Sequence, residues 1–137
     1  DLAAVERFVA AADGLAVTFH RALDIVSDPA AALEALADRG VTRVLTSGSA
    51  SRSIDGRDVL AALAERAAGR IQVMAGGGVR VEDIPALTAA GVDAVHLSAR
   101  DSVQGGPSGP GGGDAAHDIT DPSVVRAAVT AARAARA

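Results

Sequence analysis

Cysteine is missing from all 137 residues of the chain. Disulfides, thiolate nucleophiles and thiolate metal sites are therefore excluded from it, and the absence is neutral to mildly cytosolic as a sign of compartment. Tryptophan and tyrosine are missing too, and two phenylalanines are the whole aromatic content. The core must be built mainly from Ala, Val, Leu and Ile, which bury less area per residue. No apolar run reaches the roughly eighteen residues that a spanning helix needs, and no basic segment leads into an apolar one at the start. Neither a membrane span nor a signal peptide is visible, so the expected location is the cytoplasm. Positive charge is not in excess either: the formal net charge is -4, and no basic footprint invites nucleic acid or an anionic membrane surface. The first residue is Asp1 rather than Met, as expected of a fragment or a processed chain.

What is present describes one globular domain over residues 1–137, with 49% hydrophobic and 22% charged residues. Leu2, Val5, Phe8, Val9 and Ala12 recur at three- and four-residue spacing, which predicts a helix with one apolar face, stopped at Asp13-Gly14. "LAVTFHRA" then reads as a strand buried on both faces. A helix follows near "SDPAAALEALADRG", with Ser27 or Asp28 as cap, Pro29 in its first turn and Gly40 at its end. "RVLTSG" predicts a second strand, and 58–68 a helix that turns Val59, Leu60, Leu63 and Ala67 inward. "RIQVMAGGGV" is a strand running into a glycine turn, "VEDIPALTAAG" a short helix closed by Gly91, and "AVHLSA" a fourth strand. Residues 101–118, rich in Gly and Pro, are expected to be a flexible loop. A last helix begins with Asp121 as cap and Pro122 in its first turn.

Strands alternating with helices imply a parallel α/β sheet with right-handed crossovers. "LADRGVTRVLTSG" (36–48) aligns without gaps on "LTAAGVDAVHLSA" (87–99), as if one unit of helix end, turn and strand occurred twice. Four such units are half of an eight-unit TIM-type barrel, and an open doubly wound sheet is the rival. The polar residues favour the barrel. His20-Arg21, Thr46-Ser47-Gly48, Gly76-Gly77-Gly78, and His96 with Ser98 all fall at the C-terminal ends of strands, where barrels place their sites.

In order and spacing, "LAVTFHRALD", "RVLTSGSA", "QVMAGGGVRVEDI" and "GVDAVHLSA" resemble the second half of CutC, the family named for copper homeostasis. The resemblance covers nearly all of residues 1–100 and the final helix near "DITDPSVV". It implies a TIM barrel of which this chain supplies the last four strand-helix units, with a missing N-terminal half. It also implies a role with copper, although the cysteines connected with copper in the family belong to the absent half. The segment "GGPSGPGGG" departs from the family pattern, which puts the rim after the last strand in doubt.

Several constellations could carry chemistry. "AGGGV" precedes a helix, so its backbone N–H groups can cradle a phosphate or carboxylate; three glycines also simply permit a tight turn with positive φ. His20 and Arg21 must face opposite ways if the strand continues through them. The expected arrangement turns His20 into the mouth as a general base or metal ligand, while Arg21 pairs with Asp24 or another rim carboxylate. His96 and Ser98 share a face; Ser98 can donate to an anion, and His96 can join His20 and an acid around divalent copper or zinc. Thr46, Ser47 and Gly48 either bind a ligand or cap their loop. His117 and the arginines Arg126, Arg133 and Arg136 are expected to be solvated.

The resulting expectation is a CutC-like half-barrel that binds copper or a small polar or anionic ligand through Arg21, Thr46, Ser47, Gly48, Gly76, Gly77, Gly78 and Ser98, with His20 and His96 as the metal or catalytic candidates. An enzyme acting on a phosphorylated or carboxylated metabolite with a histidine base is the alternative, and an inactive barrel fragment a third. Half a barrel leaves two adhesive strand edges, so a homo-oligomer or the missing N-terminal half is the expected partner.

Overall fold

Strand pairing in the structure, a computed structural model describing residues 1–103 and 117–136, follows chain order. Strands β1 (Thr18–Phe19), β2 (Arg43–Thr46), β3 (Gln72–Gly76) and β4 (Ala94–His96) lie side by side as β1-β2-β3-β4, every pair parallel. A doubly wound sheet must reverse direction at a switch point, and this sheet has none. Right-handed crossovers that always step the same way put every helix on one face, as the outer layer of a barrel requires.

The helices are α1 (Leu2–Ala11), α2 (Pro29–Ala37), α3 (Arg57–Ala67), α4 (Ile84–Ala89) and α5 (Pro122–Ala134). Their boundaries follow from local chemistry. Asp28 accepts the Ala31 N–H and Pro29 opens α2; Asp121 accepts the Ser123 N–H at 2.7 Å and Pro122 opens α5. Gly40 and Gly91 hold positive φ after α2 and α4, at +80° and +85°. On the helix side of the sheet Val44, Val73 and Ala75 are fully buried among Leu33, Leu36, Leu60, Leu63, Ile84 and Leu87. Alternation turns Arg43, Leu45, Gln72 and Met74 to the opposite face, where Arg43 donates to the Gln72 side chain at 2.9 and 2.6 Å.

Helix α1 forms where expected but buries none of its residues, and Phe8 is 71% exposed. Two expectations need correction. Val59 is 41% exposed, since the covered stripe of α3 is Leu60, Leu63 and Ala67, and Val59 lies at its edge, about 100° from Leu60 and about 40° from Leu63. The strand expected over "LAVTFHRA" is only two residues long, and Arg21–Ile25 forms a 3-10 turn. The ends of the Gly/Pro-rich segment pair as an antiparallel hairpin, β5 (Arg100–Val103) with β6 (His117–Thr120). The flexibility expected of its middle, and the solvation expected of the His117 side chain, lie outside the described residues. Arg136 is exposed as expected, and also donates to the Asp93 carbonyl.

Candidate functional site

The downstream ends of β1 and β2 are stitched together by one buried carboxylate. Asp24, in the 3-10 turn after β1, has a side chain only 6% exposed. It accepts from the Thr46 hydroxyl, the Ser47 N–H and hydroxyl, the Ser49 N–H, and Nε of Arg21 at 2.7 Å. Burial raises the Asp24 pKa, but the hydrogen bonds from Thr46, Arg21, Ser49 and Ser47 outweigh it and hold the carboxyl below its ordinary value. An ionised acceptor at that point fixes the direction of every donor around it.

Thr46 and Ser47, both buried, therefore serve the carboxylate rather than open space. The loop they begin folds back tightly. Gly48 sits at φ +69°, and the Gly48 and Gly56 backbones approach so closely that neither position has room for a side chain. Farther along this loop, Ser53 reaches the glycine turn after β3: its N–H and hydroxyl donate to the Gly77 carbonyl at 2.8 and 3.2 Å. Arg52 donates to the Gly78 carbonyl at 3.3 Å and to Asp83 at 2.8 Å. With two carbonyls drawn to that side, the trans peptide geometry aims the N–H groups of Gly78 and Val79 the other way. Neither N–H has an acceptor among the described residues.

Those N–H groups border a cavity of about 590 Å³ lined by Arg21, Arg80, Arg100, His96, Ser98 and the Gly76–Gly78 turn, with Leu45, Val79 and Leu97 as its apolar part. Arg21 crosses from the first strand end to reach it. A Cβ at Gly77 would stand 3.1 Å from Arg21 Nη1 and 3.0 Å from the Ser47 Cβ, so the glycine is needed for this approach as well as for its φ of +138°. Arg80 and Arg100 have carboxylate neighbours, Glu82 at 3.8 Å and Asp118 at 3.0 Å.

Arg21 pairs with Asp24 as expected, but His20 does not turn into the mouth. His20 is exposed, caps the 3-10 turn by accepting the Ala22 N–H at Nδ1 (3.0 Å), and lines a different groove beside α1 with Val5, Phe8 and Phe19. Arg21 is the residue that enters the cavity with His96. The reason is that β1 ends at Phe19, so strand alternation no longer governs the next two side chains. Among the described residues no three of His, Asp and Glu are placed to hold a metal ion, so His20, His96 and an acid do not assemble into the divalent site. Ser98 and the three glycines do gather as expected, whereas Thr46, Ser47 and Gly48 stand behind Arg21. Arg52, Ser53, Arg80 and Arg100 were not legible as site residues, because Arg52, Ser53 and Arg80 lie several residues past the strand ends and Arg100 opens a separate strand.

Sequential parallel strands, helices on one face and a common rim of loop residues define a TIM-barrel-type (β/α) protein, of which four units are present. The model of the CutC family matches residues 1–101. A CutC family protein of Glaesserella parasuis serovar 5 is 40% identical over 134 residues, covering 92% of this chain and 55% of its own length. One of Citrobacter koseri is 48% identical over 99 residues, covering 72% of this chain and 40% of its own. The crystal structure of CutC from Streptococcus agalactiae, described as a copper homeostasis protein, matches with a TM-score of 0.65 at 35% identity over 70% of this chain and 48% of that one. The chain belongs to the CutC family, and it spans about half the length of the curated relatives it matches.

Proposed function

We propose that the chain binds a small anionic ligand, a phosphate or carboxylate group, at the C-terminal rim of its strands. The observation that carries this reading is the convergence on one cavity of Arg21, Arg80, Arg100, Ser98 and the unaccepted N–H groups of Gly78 and Val79. Donors fixed before binding lose little freedom when an anion arrives, and the N–H pair forms the kind of backbone concavity that suits one. Position agrees, since the glycine turn follows the strand that corresponds to the seventh of a full barrel, where phosphate sites are frequent. A cytoplasmic location fits such a ligand; among the described residues no helix is long and apolar enough to cross a membrane.

Copper, suggested by the description of the Streptococcus agalactiae relative, finds a poor donor set here. Cysteine is absent, the one methionine, Met74, lies on the inner face of β3, and the two described imidazoles stand in separate cavities. No step is assigned to the metal. If the site is that of an enzyme, His96 is the imidazole in position to move a proton, because it shares the cavity wall with the glycine turn. The free edges of β1 and β4 call for a second four-unit half, either another copy of this chain or an N-terminal half.

Calorimetric titration of the chain with inorganic phosphate tests the anion reading. Saturable binding is expected, and Arg80→Gln should weaken it about tenfold if its guanidinium reaches the anion. Binding that is absent, or unchanged in Arg80→Gln and Arg21→Lys alike, would remove the site.

A further inference from the structure

Arg21 meets the cavity with most of its guanidinium already engaged. Nε donates to Asp24 Oδ2 at 2.7 Å, while Nη2 donates to Ser47 Oγ at 2.8 Å and to the Ala50 carbonyl at 3.5 Å. The side-on fork, formed by Nε and Nη2, is thereby filled from within the protein. Nη1 is the one nitrogen of the three with no acceptor among the described residues, and a Cβ at Gly77 would lie 3.1 Å from it.

Anions differ in what they ask of such a group. A planar carboxylate is held best by two parallel N–H donors of one guanidinium, and the side-on pair of Arg21, Nε with Nη2, is already taken by Asp24 and Ser47. A phosphate has oxygens at tetrahedral angles and takes single donors arriving from several directions. The cavity presents donors of that second kind: Nη1 of Arg21 from the β1 side, the N–H groups of Gly78 and Val79 from the turn, and the Ser98 hydroxyl beyond β4, while the other two lining arginines, Arg80 and Arg100, stand beside carboxylates of their own, Glu82 and Asp118.

We propose that this site selects a phosphate monoester over a carboxylate of equal charge, and that Asp24 is the positioning residue that sets the preference by occupying the fork of Arg21. The proposal rests on the anion reading above and goes beyond it in naming the ligand class and the residue that determines it. Asp24 touches no ligand; it acts through Arg21.

Inorganic phosphate and malonate, both dianions at mildly alkaline pH, are the probes, titrated calorimetrically into the full chain. Phosphate is expected to bind about tenfold tighter or better, the scale of one charge-assisted hydrogen bond. Asp24→Asn puts a neutral amide in place of the carboxylate and frees Nε, so the phosphate-to-malonate ratio should fall about tenfold. Loss of structure alone would weaken both anions together and leave the ratio where it was. Ser47→Ala, which frees Nη2, should shift the ratio the same way and serves if Asp24→Asn does not fold. Failure of both dianions to bind the wild-type chain would overturn the anion reading itself. Binding of both with malonate equal or tighter would leave that reading standing and overturn the selectivity, and an unchanged ratio in the folded variants would overturn the role of Asp24.

Discussion

Gly56→Ala probes how rigid the rim must be. A Cβ at Gly56 would lie 2.9 Å from the Gly48 carbonyl oxygen, 3.0 Å from the Gly48 Cα, and closer still to the Ser47 carbonyl oxygen. All three are main-chain atoms, so no side chain can swing away and the strain must move the loop itself. Overpacking of this kind costs about 3 kcal/mol, the upper part of its usual range. For a domain of this size each kcal/mol lowers the melting temperature by about 4 °C, which gives a fall of about 12 °C. Gly14→Ala is the comparison: Gly56 sits at φ −93°, open to alanine, so only the contacts oppose it, whereas Gly14 sits at φ +85° and a Cβ there meets nothing within 4 Å. Its cost is the left-handed backbone alone, about 1 kcal/mol. Thermal melts followed by circular dichroism compare the two. Because the Ser47 N–H that would be displaced also holds Asp24, phosphate binding should weaken in Gly56→Ala and not in Gly14→Ala. A Gly56→Ala protein that melts at or above Gly14→Ala would show that the loop is not fixed by this contact, and the account of a preformed rim would be wrong.

Asp24 should also leave a mark on acid stability. Its folded pKa lies below the unfolded one, so its contribution is complete above the ordinary carboxylate value near 3.8 and disappears as pH falls through the lower, folded value. Urea denaturation at descending pH should show a loss in that window that Asp24→Asn lacks; parallel curves would contradict the hydrogen-bond assignment. Light scattering addresses the open sheet edges: the chain is expected to self-associate as concentration rises, or else to unfold at low denaturant. A stable monomer across a wide concentration range would mean that β1 and β4 need no partner.

Much of the fold was legible because its signals are local. Asp28-Pro29 and Asp121-Pro122 mark helix starts by side-chain capping, and Gly40 and Gly91 mark helix ends by a backbone that other residues resist. The polar strand ends pointed to the barrel, and the sheet order agrees. The site was legible in outline only. Which of His20 and Arg21 enters the cavity depended on where β1 stops, and a two-residue strand carries too little periodicity to fix that. Arg52 and Arg80 reach their places with long side chains from loops, where no repeat constrains direction, and Arg100 does so from the first residue of the short strand β5. Thr46 and Ser47 looked like ligand contacts because they are polar at a strand end; an acid from another loop claims them first. The apolar stripe of α1 was correctly read as periodic, but periodicity reports a face suited to burial and cannot supply the surface that covers it.

The chain-order arrangement of the sheet bears on how the protein is made. Each strand finds its hydrogen-bonding neighbour in the unit just before it, as Arg43 does with Thr18, Gln72 with Arg43, and Ala94 with Met74. Among the described residues, none of the pairings within the four-stranded sheet has to wait for a distant stretch of polypeptide, so for them the search cost of closing long loops is small. As the ribosome releases the chain, every new strand and helix can dock on a template already in place, and growth from the amino end is the direction that synthesis dictates.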